Sequence, residues 1–414
     1  MKCVYQLAPE YSVVARSPDP EELFLGSPGI CTLEDGSIIA TMDAFGPRTS
    51  QYKKDQGSVF KSVDGGKTWQ KKADYPFYHA RPFVAGHSLY VLGHHGDLQI
   101  IRSDDGGESW GEPVALTGGE RWHQAPSNVW YANGCVYLVM ERSLYRDCRC
   151  WDVSTLAPVL LRGCCTEDLT DVKNWTFASE MAFRDAVRFE EDNLFGFPFY
   201  GIAEKENIDI CTEPVVRKCA PFGWLETNVV QFRDPDHLWC DESGHTFHLW
   251  MRAHTGRTGY AAILKVVENA DGTMTTMFER VPSGRKIVYL PCPGGQMKFH
   301  ILYDEQTKLF WLLGTQATDS MIKPERMDPR RFGLPDNERQ RLVLHFSKNC
   351  VDWCFAGLVA SVDDCGMARH YASMAISGED LLILSRSADE QALSAHNGNL
   401  ITFHRISGFR DLVY

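Results

Sequence analysis

Hydrophobic and polar positions along this chain alternate in short runs. Almost nowhere do they follow the rhythm of an amphipathic helix. The stretches GICTLEDGSIIATMDA (29–44), HSLYVLGHHGDLQIIRS (87–103), NGCVYLVMER (133–142) and HTFHLWMRAH (245–254) are typical. Each either alternates apolar with polar residues or is rich in Val, Ile, Tyr and Trp, and each is bounded by Asp-Gly, Asn-Gly or Ser-Gly. That grammar predicts short β-strands joined by tight turns. Many short strands at even spacing predict an all-β protein: a sandwich, a barrel or a propeller.

One turn is written twice, and this narrows the choice. Ser62–Trp69 reads SVDGGKTW, and 41 positions later Ser103–Trp110 reads SDDGGESW. Fainter copies ending in Trp175 and Trp353 occur in CTEDLTDVKNW (165–175) and SKNCVDW (347–353). A turn that recurs once per small antiparallel sheet selects the propeller. In each copy the Asp side chain caps its own turn, and the Trp is expected to be buried between neighbouring sheets. At four strands per blade, 414 residues accommodate six or seven blades. The close spacing of the two copies favours seven, with six as the alternative. VYQLAPEYSVVARS (4–17) and NLITFHRISGFRDLVY (399–414) both read as strands. Pairing them in one blade of a single domain spanning 1–414 would remove an exposed sheet edge.

Composition excludes several classes of protein. Hydrophobic residues make up 44% and charged residues 23%, which suits a folded chain with a large core. A formal net charge of −12 argues against nucleic acid or an anionic membrane as partner. MKCVYQLAPEY carries no apolar export segment and no uncharged apolar run is long enough to span a bilayer, so the expectation is a cytoplasmic protein. The fourteen cysteines form no paired CxxC pattern. They read as reduced, mostly buried thiols, and neither a metal nor a cofactor is expected.

A propeller site gathers at the mouth of its central channel, where loops from several blades converge. The residues placed at strand ends are His94 and His95 in GHHGD, Arg121 and His123 in RWHQAP, Arg252 and His254 in WMRAH, Lys298 in QMKFH, and Arg369, His370 and Tyr371 in RHYAS. Together they can neutralise a carboxylate and move a proton near neutral pH. Each also has a structural reading: His94 and His95 as hairpin caps, His123 as a core histidine beside Trp122, Arg252 as an ion-pair partner. The charged run 324–341 reads as a solvated loop from which Arg326 or Arg339 reaches the pocket.

The repeated turn resembles the Asp-box of the sialidase superfamily. The resemblance implies a β-propeller in which these turns lie at the periphery, so Asp64 and Asp105 are structural. RHYASMAIS resembles the segment carrying the nucleophilic tyrosine in sialidases, which makes Tyr371 the leading chemical residue. Where sialidases carry Arg-Ile-Pro in the first blade this chain has Gly26-Ser-Pro-Gly-Ile30, so the first arginine of the carboxylate-binding triad is missing from its place. GSPGICTLEDGSIIATMDAFGP, PGGQMKFHILYDEQTKLFWLL (293–313) and LSRSADEQALSAHNGNLITFHRISGFR (384–410) are similar to the seven-bladed rhamnose-α-1,4-glucuronate lyase and ulvan lyase branch, with 143–222 unmatched. Met42 stands where that branch often has a histidine.

This resemblance implies an enzyme that cleaves a uronic-acid-containing oligosaccharide by β-elimination. Arg252 would neutralise the carboxylate, and His94, His95 or His123 together with Tyr371 would serve as base and acid. Arg369, His370, Lys298 and His254 would contact substrate. An exo-acting, sialidase-like glycoside hydrolase and a non-catalytic carbohydrate-binding propeller are the alternatives.

Overall fold

A strand whose residues are apolar on both faces must be covered on both faces, and in this chain the covering is supplied by neighbouring sheets. The structure, a computed structural model, describes residues 4–49, 56–148, 151–187, 222–254, 259–320, 322–323, 326–328, 330 and 338–414. Among the described residues, six antiparallel sheets follow one another around a central channel, each with its first strand innermost. Blade 1 comprises Phe24–Thr32, Ile38–Phe45, Gly57–Ser62 and Gln70–Tyr75. Blade 2 comprises Tyr78–Ala85, Ser88–His95, Asp97–Ser103 and Val114–Ala115. In blade 3, Trp122–His123 and Trp130–Ala132 share the innermost place beside Cys135–Ser143, followed by Leu156–Cys164 and Trp175–Phe177. Blade 4 is built on Gly223–Val230, Thr246–His254, Tyr260–Glu268 and Met274–Met277. Blade 5 runs through His300–Asp304, Leu309–Thr315, Arg341–Ser347 and Cys354–Ser361. Blade 6 takes Ala368–Ser377, Asp380–Ala388 and Leu400–Ile406, and its fourth strand is the N-terminal Ser12–Arg16.

Six blades correct the preference for seven. The two repeated turns do occupy adjacent blades, but later blades are longer than their spacing suggests. Between the strands of blades 3 and 4, the described residues 144–148, 151–155 and 178–187 join no sheet.

The core is a series of layers between blades. Ile39, Val59, Leu89 and Val91 join blades 1 and 2, while Trp311, Leu344, Met374 and Ile383 join blades 5 and 6. Val14, Leu25, Leu384 and Phe403 seal the ring where its ends meet. Strand pairing of Ser12 with Phe403 and Arg16 with Leu400 completes that seal.

Around the channel, one side chain from each blade bonds the main chain of the next. Thr41 Oγ1 donates to Ala80 O (2.8 Å) and Arg81 to Asn128 O (3.1 Å) and Val139 O (2.7 Å). Asn128 both donates to and accepts from Val229 (2.6 and 2.7 Å). Asn228 likewise spans Phe299 O and Ile301 N (3.2 and 2.9 Å). Lys298 Nζ donates to Ala372 O (2.6 Å), and Ser373 Oγ to Pro28 O (2.7 Å), which returns the circuit to blade 1. Ser373 Oγ also reaches Pro126 O (3.2 Å) on the far side, so this layer floors the channel. Below the floor a cavity of about 400 Å³ opens to the opposite face, lined by residues that include Cys31, Arg81, Trp130 and His300.

The repeated turns lie at the hairpin ends remote from the channel's other mouth. Asp64 accepts from Ser62 Oγ, Lys67 N and Thr68 N through Oδ1 (2.8, 3.0 and 3.0 Å), and from Thr68 Oγ1 through Oδ2 (2.6 Å). Asp105 repeats the set with Ser103, Glu108 and Ser109. Trp69 and Trp110 each donate Nε1 to a glycine carbonyl at 3.2 Å, in equivalent settings between blades, and both are half-buried rather than enclosed. The fainter copy at 347–353 puts Asn349 in the Asp role, accepting from Val351 N and Asp352 N (2.9 Å each).

The hydrogen bonds from Thr68 hold the Asp64 carboxyl well below the ordinary carboxylate range. The folded pKa is depressed, so the turn's contribution is present above the unfolded value of about 4 and is lost as pH falls through the folded one. Asp64→Ala should lower the melting temperature and weaken the acid dependence of stability while leaving ligand binding intact. Thermal unfolding from neutral pH down to well below a pH of about 4 measures both, and loss of binding in well-folded protein would contradict a purely structural turn.

Candidate active site

The innermost strands of four blades carry the same distortion near the channel mouth. Their pairing slips between Gly26 and Gly29, Tyr78 and Arg81, Leu225 and Asn228, and His370 and Ser373. Within each slip lies a residue in the left-handed region: Ser27 (φ 50°), His79 (φ 54°), Glu226 (φ 58°) and Tyr371 (φ 50°). None is glycine, so each costs roughly 1–2 kcal/mol of backbone strain. Such bulges re-aim a side chain out of the regular alternation. Here they bring His79, Glu226 and Tyr371 into one polar cluster at the channel mouth.

Arg252, near the end of the second strand of blade 4, joins two of them. It donates to Tyr371 Oη (2.6 Å) and Glu226 Oε2 (3.3 Å) through one terminal nitrogen, and its Nε donates to Gln296 O (2.8 Å). Arg339 donates to His370 Nδ1 at 2.8 Å, and its guanidinium lies 5.5 Å from the Tyr371 ring. Arg386 is also 5.5 Å from that ring, stacks over Phe45 at 4.4 Å and bonds His396 O. Arg252, Arg339 and Arg386 are 4%, 5% and 7% exposed, so three guanidinium groups surround one tyrosine almost out of water. Burial draws Arg339 down to about 9, helped by its neighbouring guanidiniums, and Arg386 to about 10; both remain cationic at neutral pH.

Opposite sits a second polar group. Asp43 is 3% exposed, its Oδ1 has no hydrogen-bond partner among the described residues, and its Oδ2 lies 3.9 Å from His79 Nε2. Burial pushes its carboxyl up to about 7, against the opposing pull of a Ser27 hydrogen bond and the Arg386 charge. His79 Nδ1 and His94 Nε2 are 3.0 Å apart, and the His123 ring is 5.4 Å from His79. Burial and the mutual proximity of these rings push His79 and His94 well below the ordinary histidine value. Burial acts the same way on His123, but Glu141, 3.7 Å away, outweighs it and raises His123. Glu141 is fixed in turn by Thr227 N and Oγ1 (3.0 and 2.6 Å).

The residues singled out by sequence fall into three groups. Tyr371, Arg252, His94 and His123 belong to this connected network. His370 lies behind Arg339, Lys298 lies in the floor, and His254 is buried against Trp151, whose ring centroid is 4.7 Å away. Arg369 is turned aside: the slip after His370 aims Tyr371 inward, whereas Arg369 packs over Tyr11 (4.7 Å) and bonds Ala368 O. His95 occupies the hairpin turn, in ring contact with Tyr78 at 5.8 Å, and Arg121 faces Asp152 at 3.5 Å. Of the charged run 324–341, Arg326 is exposed, Arg339 reaches the cluster, and 324–325, 329 and 331–337 lie outside the described residues.

Sequence reasoning missed Glu226, Asp43, His79 and Arg386. No motif announces them: His79 and Glu226 sit on bulges whose local sequences YHA and LET share nothing, and Asp43 and Arg386 lie on regular second strands. Burial raises the Tyr371 pKa and the charges of Arg252, Arg339 and Arg386 only oppose that, so it is a neutral phenol at neutral pH. A Cβ built on Gly26 would lie 3.7 Å from a terminal nitrogen of Arg386, so the guanidinium from blade 6 lies beside the first strand of blade 1.

The fold is that of a sialidase-like β-propeller. The sequence matches no protein-family model and no curated protein. Solved structures similar to this chain include the Penicillium chrysogenum α-L-arabinanase complexed with arabinobiose (TM-score 0.52, 11% identity, 98% of this chain and 99% of that one). A protein of unknown function from Dyadobacter fermentans (TM-score 0.53, 14% identity, 98% and 100%) and a Hadza microbial sialidase (TM-score 0.52, 14% identity, 96% and 68%) are similar as well.

Two buried groups make stability depend on pH in opposite directions. Asp43 titrates at about 7 when folded against 3.8 as a free side chain, so between these values the folded state holds the extra proton and stability falls as pH rises. Burial lowers Lys298 from 10.5 to about 7, so across that window the unfolded state holds the extra proton and stability rises with pH. Asp43→Asn should flatten the first slope and Lys298→Met the second, each by up to about 1.4 kcal/mol per pH unit. Urea unfolding across both windows tests this, and unchanged slopes would mean that neither group is desolvated.

Proposed function

We propose that the chain is a carbohydrate-active enzyme that cleaves the glycosidic bond of a terminal, carboxylate-bearing sugar. The observation that carries this reading is the set of three buried guanidinium groups around Tyr371. Buried cations require anionic partners, and among the described residues the carboxylates beside these three are Glu226, in contact with Arg252, and an Asp43 that is half-protonated near neutrality. A ligand carboxylate supplies the missing charge, and planar guanidiniums grip it through paired hydrogen bonds. The floor formed by Lys298 and Ser373 makes the pocket blind, which suits the end of an oligosaccharide rather than its middle.

Hydrolysis uses the groups as they stand. Tyr371 Oη attacks the anomeric carbon, Glu226 accepts the phenolic proton, and protonated Asp43 donates to the departing oxygen. Water then cleaves the sugar–tyrosine bond, with Asp43 now accepting a proton. The resemblance to arabinanase and sialidase structures supports carbohydrate chemistry in general. It does not choose the sugar.

A second reading, β-elimination from a uronate, is favoured by the histidines beside Asp43. His79 and His94 are neutral at working pH and able to accept the C5 proton once the arginines have neutralised the carboxylate. The two readings part in one measurement, because elimination leaves an unsaturated product that absorbs in the near ultraviolet.

A panel of oligosaccharides ending in carboxylated sugars, read by both absorbance and reducing-sugar release, tests the proposal. Cleavage is expected for the acid and not for its methyl ester. Arg386→Ala, Arg339→Ala and Tyr371→Phe should each reduce turnover by roughly a hundredfold or more without unfolding the protein. Near-normal turnover in Tyr371→Phe would remove it from the reaction, and equal cleavage of acid and ester would remove the carboxylate cradle.

A further inference from the structure

Blade 3 carries a pair of thiols whose placement is independent of the channel. Cys135 opens the strand Cys135–Ser143, Cys164 closes Leu156–Cys164, and the two are direct cross-strand partners. The flanking hydrogen bond runs from Cys165 N to Gly134 O at 3.0 Å. In an antiparallel ladder that bond places 135 and 164 opposite each other as a pair that exchanges no main-chain hydrogen bonds of its own. Such pairs have the closer Cα separation, about 4.5 Å, with side chains leaning together. A disulfide accepts Cα separations from about 4.4 to 6.8 Å, so no backbone movement is needed.

Reactivity agrees with the geometry. Both thiols are free and partly exposed. Hydrogen bonds from Thr166, whose Oγ1 is 3.2 Å from Cys164 Sγ, and a smaller contribution from the Cys135 thiol hold Cys164 below its ordinary pKa. Thiolate character with access to solvent is what an oxidant selects. Cys292 and Cys350, by contrast, are fully enclosed and pushed upward by burial. Cys165, although adjacent, points to the other face of the strand.

We propose that Cys135 and Cys164 form a modification site, closing to a cross-strand disulfide when the protein meets a hydroperoxide. The Cys164 thiolate attacks the peroxide oxygen and becomes a sulfenic acid while one water leaves. The Cys135 sulfur then displaces the second oxygen, also as water, so that two thiols and one hydrogen peroxide give one disulfide and two waters. The ring closed by this bond includes the strand that carries Glu141 and also Trp151, whose ring lies 5.5 Å from the Arg252 guanidinium. At the Cys135 and Cys164 end no chain connection joins the two strands, so the bond would staple an end held until then by hydrogen bonds alone.

The test uses the full chain and hydrogen peroxide as probe, followed by alkylation and non-reducing peptide mapping. The expected result is a single linked peptide joining Cys135 to Cys164, the loss of two hydrogen masses, and a higher melting temperature, all reversed by dithiothreitol. Cys164→Ser should abolish the link, and Cys165→Ser should leave it. The mapping on the wild-type chain stands even if a serine variant fails to fold. Cys164 found as sulfinic acid with Cys135 still alkylatable, a link to Cys165, or no oxidation of either thiol would overturn the proposal.

Discussion

The hydrogen bonds that pass from blade to blade around the channel are what the remaining structure rests on. Thr41, Arg81, Asn128, Asn228, Lys298 and Ser373 each bond the main chain of the blade that follows, and the last returns to the first. Apolar layers between blades supply the bulk of the stabilisation, but they are non-directional and tolerate sliding. Hydrogen bonds to main-chain carbonyls in a dry channel do not tolerate it, because a shift would strand a buried donor. The ring therefore fixes the rotation of each blade about the axis. It also floors the channel, which turns a tube into a pocket.

Above that floor, the pocket depends on strain. Three left-handed side chains, His79, Glu226 and Tyr371, come from blades that share no local sequence, and each sits where a regular strand would turn it aside. The strain is tolerated because both neighbours of every innermost strand are held, on one side by the blade's own second strand and on the other by the ring. A bulge at a free edge would relax. Here it persists, and three of the four bulges bring His79, Glu226 and Tyr371 to one channel mouth.

The charges then follow from burial. Three guanidinium groups cannot be dried beside a single carboxylate without a cost, and the low position of Arg339 and Arg386 and the high position of Asp43 are two sides of that cost. The imbalance lies at the channel mouth, and the proposed carboxylate-bearing ligand would relieve it. Arg386 makes the point most clearly. Its guanidinium, carried by blade 6, lies beside Gly26 of blade 1 and over the Phe45 ring, so one blade's charge is held against another blade.

What the sequence determined by itself was whatever depends on near neighbours in the chain. The alternation of strands, the glycine turns, and the Asp64 and Asp105 caps are local, and a local rule reads them directly; the all-β propeller follows from their repetition. Tyr371 and Arg252 were legible as candidates because each stands at a strand end in a recognisable run, and the structure brings the two into contact. The number of blades was not legible, since long connections and an extra sheet use the same count of residues. Nor were Glu226, Asp43, His79 and Arg386, which meet only after the ring has closed. Their pairing, the inward turn of the bulged residues and every shifted proton affinity come from contacts between blades far apart in the chain. Burial and charge act through space, and only the tertiary structure decides which groups are near enough to feel them.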